Sequence, residues 1–198
     1  MSAVIRLATV HDAEQIQAIY APIVRDTAIS FELMPPTVDE MRQRIAKTLE
    51  HLPWVVCAHR GEVLGYAYAS AHRSRAAYQW SVDVSVYIHA STRRSGVGRA
   101  IYTSLFTLLV LQGFCNAYAG ITLPNPGSVG LHEAMDFHPV GVYRAVGYKL
   151  GAWHDVGWWQ RTLQDHTPSP ASPTDLWHIR PAERRDTALT AGLAWLRL

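Results

Sequence analysis

The sequence predicts one mixed α/β (α+β) domain over residues 1–165, in which helices flank a mixed sheet. Three observations predict it. Apolar and polar residues alternate from 80 to 89, as in a strand with one buried face. Apolar residues recur with helical spacing from 97 to 112, and two Thr-x-x-acid capping boxes each precede another helical stripe. With 198 residues and 48% hydrophobic composition, the chain can bury one such core.

The chain begins with a short predicted strand, residues 3–8. Thr9 and Asp12 then form the first capping box, and an apolar stripe with helical spacing follows, made of Ile16, Ile19, Tyr20 and Ile23. Because Pro22 has no backbone N–H, we expect it to break or kink this helix.

A second helix is predicted by the capping box of Thr37 and Glu40. Its apolar face is formed by Met41, Ile45 and Leu49, and Pro53 is expected to end it. Residues 54–60 and 64–71 then predict two strands joined by a glycine-containing turn.

The third strand of this region, residues 79–90, has two different faces. One face is expected to be core and carries Trp80, Val82, Val84, Val86 and Ile88. The other carries Ser81, Asp83, Ser85, Tyr87 and His89. This polar face is therefore a candidate location for catalytic or binding side chains.

A long helix is predicted from Val97 to about Gln112, with Gly113 suited to a left-handed cap. Its buried face carries Ile101, Leu105 and Leu108. A strand at 116–123 and a loop entering a short helix at 124–137 come next. The last two strands are expected to pair antiparallel and span residues 140–150 and 153–163.

Residues 166–198 differ in composition from the domain before them. They begin with a Pro/Ser-rich stretch that is typical of a linker. The scattered apolar residues after it do not suffice for a second core. We therefore expect a poorly ordered tail without a function.

Charge and cysteine content exclude several classes of protein. Lys and Arg number 18 against 16 Asp and Glu, so no general nucleic-acid or membrane partner is expected. The start lacks a cationic leader, and no apolar run reaches the roughly 18 residues of a membrane span, which predicts a cytoplasmic protein. Cys57 and Cys115 form no metal-ligand pair and are read as core residues, so no metal is expected.

The stretch "RRSGVGRA", residues 93–100, places two glycines at the entrance of the long helix. A nucleotide P-loop is excluded because Arg99, and no Lys-Ser/Thr pair, follows Gly98. A dinucleotide fingerprint is excluded because Ile101 stands where Gly or Ala is required. Two readings remain: a plain turn with a cap, or a pyrophosphate cradle of backbone N–H groups at the helix N-terminus. In the second reading, countercharge comes from Arg93, Arg94 and Arg99.

Two ordered signatures carry a family resemblance. Residues 93–98 fit the Arg/Gln-x-x-Gly-x-Gly/Ala signature of the GNAT acetyltransferases, between a strand and the next helix. A second signature of that family matches Asn125, Ser128, Leu131, His132, Glu133 and Phe137. The stretches at 30–32, 84–88, 131–134 and 147–160 further resemble the phosphinothricin N-acetyltransferase subfamily, over residues 3–165.

The resemblance implies the GNAT fold, a mixed, mostly antiparallel sheet with a V-shaped split between central strands. It implies acetyl-CoA as co-substrate and acetyl transfer to a small anionic amino acid such as phosphinothricin (glufosinate) or methionine sulfoximine or sulfone. Resistance to such compounds and a homodimer are also implied. The residues expected to bind acetyl-CoA are Val86 and Ile88 through backbone N–H groups, Arg93, Arg94, Ser95, Gly96, Val97, Gly98, Arg99, Asn125 and Ser128.

Two residues are candidates for catalysis. The α-amino group has a pKa of roughly 7.7–8.0, so a base is needed to form the neutral amine. Asp83 is our candidate base, acting through a water molecule; the alternative is a carboxylate that only stabilises structure. His132 is implied by the resemblance to assist proton transfer or to hydrogen-bond the thioester, and the alternative is a structural histidine.

The acceptor pocket is expected to use Phe31 and Glu32 as its wall and Arg73 and Arg75 as partners of a carboxylate or phosphinate. The alternatives are a core role for Phe31 and solvated charge for the two arginines. Other acceptors on the same scaffold, a protein N-terminus or an aminoglycoside, remain open, as does a non-catalytic acyl-CoA-binding module.

Two departures from the family pattern stand out. Asp83 occupies a position where the subfamily has Glu, which makes the carboxylate one methylene shorter. Asp136 replaces the Gly at the end of the second signature helix, and Asp is among the residues that tolerate a left-handed backbone.

Overall fold

A computed structural model describes residues 2–198. Within them, seven strands form one sheet in the order β1-β2-β3-β4-β5-β7-β6. Their bounds are Val4–Leu7 (β1), Trp54–His59 (β2), Glu62–Ala71 (β3), Ser81–Ile88 (β4), Asn116–Leu123 (β5), His138–Lys149 (β6) and Ala152–Thr162 (β7). All neighbours pair antiparallel except β4 and β5, which are parallel. The predicted mixed, mostly antiparallel sheet is thus confirmed.

Helices cover both faces of this sheet. Their bounds are Ala13–Asp26 (α1), Val38–Leu49 (α2), Val97–Gln112 (α3), Pro126–Ala134 (α4) and Ala182–Thr190 (α5). Helices α1 and α2 pack on one face, around Ile16, Ile45 and Tyr66. Helix α3 packs on the opposite face, where Val82 and Leu105 are buried. No helix in residues 2–198 has the length and apolar content needed to cross a bilayer.

The parallel pair β4–β5 is short. It pairs Ser81 with Asn116, Val82 with Ala117 and Asp83 with Tyr118, and it ends there. Beyond this point β4 continues beside β3 while β5 continues beside β7, so the two strands part. The sheet therefore contains a split whose apex is the Asp83–Tyr118 pair.

Several local predictions are confirmed. Thr37 and Glu40 form the capping box of α2, and Gly113 ends α3 with φ of +97°. Asp136 adopts φ of +65°, the left-handed conformation that its place after α4 requires. Pro22 does not break the first helix, which was one of the two outcomes expected of it: α1 continues through this residue to Asp26. Pro22 and Ala18 are both exposed, so the carbonyl that loses its helical partner is open to water.

Residues 166–198 differ from the expected poorly ordered tail. They carry α5, and Leu176 and Ile179 are buried in the same core as α3. Polar contacts fix the segment at both ends: the Gln112 side chain donates to the carbonyl of Thr174 at 2.8 Å, and Ser104 Oγ donates to the carbonyl of Leu189 at 2.8 Å. The tail thus completes one face of the domain.

Candidate functional site

Asp83 lies at the apex of the split and is hydrogen-bonded to His72. The distance from His72 Nδ1 to Asp83 Oδ1 is 2.6 Å, and both side chains are mostly buried. Burial raises the pKa of Asp83, while the His72 hydrogen bond and the nearby charge of Arg73 oppose that rise. The predicted base is therefore paired with an imidazole.

Aromatic rings hold His72 in place. Its ring stacks on Tyr118 with the centroids 4.3 Å apart and the planes 18° apart, and edge contacts to Tyr78 and Trp158 complete the surroundings. The sequence analysis did not identify His72. Ser70 pairs with Asp83 in the β3–β4 register, so residue 72 lies diagonally across from Asp83 on the same face. Knowledge of the β3–β4 pairing register would have identified it.

The edge of β4 that faces the split presents free amides. The N–H of His89 donates to Leu64 at the end of the β3–β4 ladder. Hydrogen-bonded pairs alternate along such a ladder, so the N–H groups of Val86 and Ile88 point away from β3, toward the split. Since β5 has already diverged, these amides have no strand partner within residues 2–198. They lie where the sequence predicts donors.

The glycine turn forms the entrance of α3. Gly96 has φ of +82° and ends the turn, which leaves the amides of the first helical residues without intrahelical acceptors. A Cβ on Gly98 would lie 3.0 Å from Leu131 of α4, so glycine lets these two helices approach. Arg93 and Arg94 are exposed on the same turn and form no salt bridge within the described residues. The donors and the free charge suit an anionic phosphate group.

Arg99, another predicted source of countercharge, is engaged by a residue that packs against this turn. Its guanidinium lies 3.4 Å from the ring centroid of Trp195 in the carboxy-terminal segment. The N–H of Arg197 donates to the carbonyl of Ser95 at 2.9 Å, and the carbonyl of Trp195 packs directly against Gly96. The carboxy-terminal residues thus cover one side of the turn.

His132 lies on α4 and is buried. Its Nδ1 donates to the carbonyl of Ser128 at 2.8 Å, so Nε2 accepts the hydroxyl of Tyr102 at 2.9 Å. Burial lowers the pKa of His132, and the ring is therefore neutral at neutral pH. Tyr102 was not predicted as part of the site; its place on α3 gave no local signal.

Asn125 and Ser128 position this histidine. The side chain of Asn125 accepts the N–H of Ser128 at 3.1 Å and so caps α4. Both residues line a narrow cleft at the split, together with Val86, Tyr102 and His132. The second family signature thus lines the cleft, and it meets the first signature where Gly98 lies against Leu131.

The predicted acceptor residues are only partly assembled. Phe31 packs against Gly147 and lies beside His154. Glu32 is held by Arg44 at 2.7 Å and by the Tyr20 hydroxyl at 2.9 Å, and the Arg44 contact chiefly lowers its pKa. Ile29, two residues before Phe31, is the member of this loop that lines the cleft.

The two arginines line one cleft but differ in their other contacts. Arg73 lies 5.8 Å from the centroid of the Trp158 ring and close enough to Asp83 to influence its pKa. Arg75 precedes a short 3-10 helix, and both arginines line a larger cleft, of about 300 Å³, that is also lined by Val82. Because Val82 and Asp83 point to opposite faces of β4, that cleft is distinct from the split.

Comparison with known proteins agrees with this geometry. The family model described as "Acetyltransferase (GNAT) domain" matches residues 5–158. The phosphinothricin N-acetyltransferase of Streptomyces viridochromogenes is 38% identical over 85% of this chain and 91% of that protein. The L-methionine sulfoximine/L-methionine sulfone acetyltransferase of Pseudomonas paraeruginosa is 31% identical over 86% of this chain and 100% of that protein.

A solved structure is similar throughout. The phosphinothricin acetyltransferase of Sinorhizobium meliloti, crystallised in complex with AcCoA, is 35% identical, with a TM-score of 0.80 over 91% of this chain and 97% of that chain. The family match covers the split, the glycine turn and the helix that carries His132. The chain therefore belongs to the GNAT family of acetyltransferases.

Proposed function

We propose that this protein transfers the acetyl group of acetyl-CoA directly to the amino group of a small anionic amino acid of the phosphinothricin or methionine sulfoximine/sulfone class. One observation carries the proposal. The hydrogen-bonded pair of Asp83 and His72, which can accept a proton, lies at the apex of the split. The edge of the same split presents the amides of Val86 and Ile88. The substrates named for the two similar enzymes supply the acceptor class.

The groups suited to acetyl-CoA are the glycine turn and the split edge. The free amides at the entrance of α3, together with Arg93 and Arg94, would hold its phosphates. The amides of Val86 and Ile88 would donate to the thioester oxygen, and Asn125 and Ser128 shape the opposite wall. When bound, acetyl-CoA supplies an acetyl group activated as a thioester.

The acceptor amine must lose a proton before it can attack. Asp83 is the basic group of the split, and the raised pKa that burial gives it brings the carboxylate closer to the roughly 7.7–8.0 of an α-amino group. Beside it, Arg73 offers a planar cation to the acidic group of the amino acid. One side of the apex thus binds the acceptor and takes up its proton.

The leaving sulfur needs a proton. His132 and Tyr102 face the cleft and are hydrogen-bonded to each other. The Tyr102 hydroxyl can pass its proton to the departing thiolate while it takes up the second proton of the amine nitrogen, so that no tyrosinate is left in the buried pair. No covalent acyl-enzyme is required, since Cys57 and Cys115 are buried and burial raises the pKa of both thiols.

The test is a thiol-release assay. The purified protein is incubated with acetyl-CoA and phosphinothricin, methionine sulfoximine or methionine sulfone, and free CoA thiol is measured with a chromogenic reagent. We expect release that depends on the amino acid, together with the N-acetyl product by mass spectrometry. Turnover only with a peptide N-terminus or an aminoglycoside would contradict the proposed acceptor, and binding of acetyl-CoA without turnover would contradict catalysis.

A homodimer in the cytoplasm completes the proposal. The β6–β7 ribbon forms one edge of the sheet and exposes large apolar side chains, among them Val140, Tyr148 and Trp153. Such a patch is typical of a subunit interface. Free thiols at both cysteines suit a reducing compartment. Light scattering on the purified protein measures its mass in solution.

A further inference from the structure

We propose that His72 is the general base of the reaction, that its Nε2 takes the proton from the acceptor amine, and that Asp83 positions and stabilises it. The inference rests on the proposed function and deepens it. It assigns the proton to a residue that the sequence signatures do not include. It also changes the role of Asp83 from direct base to the partner of a base.

The hydrogen bond between the two residues fixes the tautomer. An ionised carboxylate can only accept, so the 2.6 Å contact from Nδ1 to Asp83 Oδ1 places the imidazole hydrogen on Nδ1. The lone pair of the neutral ring is then on Nε2. This is the form in which an imidazole accepts a proton.

Nε2 of His72 is available. It makes no hydrogen bond within residues 2–198, and it is not among their fully buried unpaired polar atoms. The side chain as a whole is only 13% exposed, and it is clamped on Tyr118. A rigid ring with one open nitrogen has the properties expected of a general base.

His72 compensates for the shorter side chain of Asp83. The carboxylate carries one methylene fewer than the glutamate of the subfamily pattern, and the imidazole extends from it. The ring also lies next to Arg73, our candidate partner for the acidic group of the substrate.

The proton transfer balances. One N–H bond of the substrate ammonium breaks and an N–H bond forms at Nε2, which leaves a neutral amine and an imidazolium facing the Asp83 carboxylate. After the new C–N bond forms, the nitrogen loses its second proton and the sulfur leaves as thiol. The imidazolium then returns its proton to water, so one proton is released per acetyl group transferred.

The test compares two histidine–aspartate pairs. His72→Gln should lower kcat/KM for the amino acid by about 10²–10⁴, whereas the acetyl-CoA Kd stays within about threefold. His138→Gln is the matched control, because His138 forms an exposed pair with Asp136 at 3.5 Å and lines neither of the two clefts described above. Its activity should equal that of the wild type.

Three further readouts separate a base from a structural role. The wild-type pH profile should fall on the acid side, and in His72→Gln this limb should move to higher pH, because only amine that is already neutral in solution can then react. Other ionisable groups at the ring are Asp83, Arg73, Tyr78 and Tyr118, so Tyr78→Phe and Tyr118→Phe should keep the acid limb. His72→Ala should regain activity with added imidazole. Asp83→Asn combined with His72→Gln should be little slower than His72→Gln alone.

The outcomes also separate this inference from the proposed function. No turnover by the wild type with any of the three amino acids defeats the proposed function. A wild type that turns over, with a folded His72→Gln protein of unchanged rate and unchanged pH profile, overturns the role of His72 alone. Loss of activity in His72→Ala without imidazole rescue, combined with an unchanged acid limb in His72→Gln, also overturns it.

Discussion

The hydroxyl of Tyr102 donates a hydrogen bond to Nε2 of His132 across a distance of 2.9 Å, joining α3 to α4 below the split. Both side chains are buried, and the other ring nitrogen is occupied by the carbonyl of Ser128. The neutral imidazole is therefore fully hydrogen-bonded. This contact makes stability and chemistry depend on the same pair.

Replacing Tyr102 by Phe should lower the free energy of unfolding by about 1–3 kcal/mol, because Nε2 of His132 loses its buried partner. We expect a lower kcat as well, since the shared proton is gone. Urea denaturation and the thiol assay measure the two effects. Tyr148→Phe changes an exposed hydroxyl and should stay within about 0.5 kcal/mol. Equal stability of the two variants would contradict this prediction.

His132 should make the protein less stable in mild acid. Burial lowers its pKa in the folded state, so below the unfolded value of about 6.5 the unfolded chain binds a proton that the folded chain resists. Stability is then lost as the pH falls from about 6.5 toward the lowered folded pKa. Urea midpoints between pH 5 and 8 should show a shallower acid loss in His132→Gln. Parallel curves for the two proteins would refute the assignment.

Arg73→Gln should raise KM for the anionic amino acid about tenfold or more, because a charge-assisted hydrogen bond contributes about 1.5–3 kcal/mol. KM for acetyl-CoA should not change, since Arg73 lies beside Trp158 and Asp83, away from the glycine turn. Arg75→Gln is the matched control and should alter KM for the amino acid by less than about twofold. A similar KM increase in both variants would point to general electrostatics.

Gly96→Ala should weaken acetyl-CoA binding and destabilise the fold. The residue has φ of +82°, which costs an L-residue about 1–2 kcal/mol, and the new methyl would collide with the carbonyl of Trp195. Gly61→Ala separates the two effects: its φ is +87°, but nothing lies within 4 Å of the added carbon. Calorimetry with CoA should show weaker binding for Gly96→Ala only. Unchanged affinity in that variant would remove the turn from the cofactor site.

Leu176→Ala should cost about 2–5 kcal/mol, the usual penalty for emptying a closed core position. Leu33→Ala, at a side chain that is 73% exposed, should be nearly neutral. Thermal unfolding followed by circular dichroism compares the two. If Leu176→Ala melts with the wild type, residues 166–198 do not contribute to the core in solution.

Local sequence signals predicted the elements well, because caps, alternation and helical spacing act over a few residues. The Thr37–Glu40 box and Gly113 are examples. Pro22 does not break α1, because the cost of a proline inside a helix depends on whether water reaches the carbonyl that it leaves free. The apolar residues of the tail misled because Leu176 and Ile179 have no periodicity of their own and fill a groove that only the folded sheet provides.

The residues of the candidate site that belong to a sequence motif could be predicted. Those that reach the site only through strand pairing or helix packing could not. Asp83, His132 and the glycine turn were proposed as site residues from their patterns. His72 meets Asp83 only through the pairing of β3 with β4, and Tyr102 meets His132 only through the packing of α3 on α4. Neither contact has a short-range signature in the chain.

The hydrogen bond from Arg197 to Ser95 has a practical consequence for anyone who purifies or fuses this protein. Any polypeptide that continues beyond Leu198, native or added in the laboratory, would start beside the glycine turn. The amino terminus enters through β1, three strand spacings of about 4.8 Å each from β4. An affinity tag or reporter is better attached at that end.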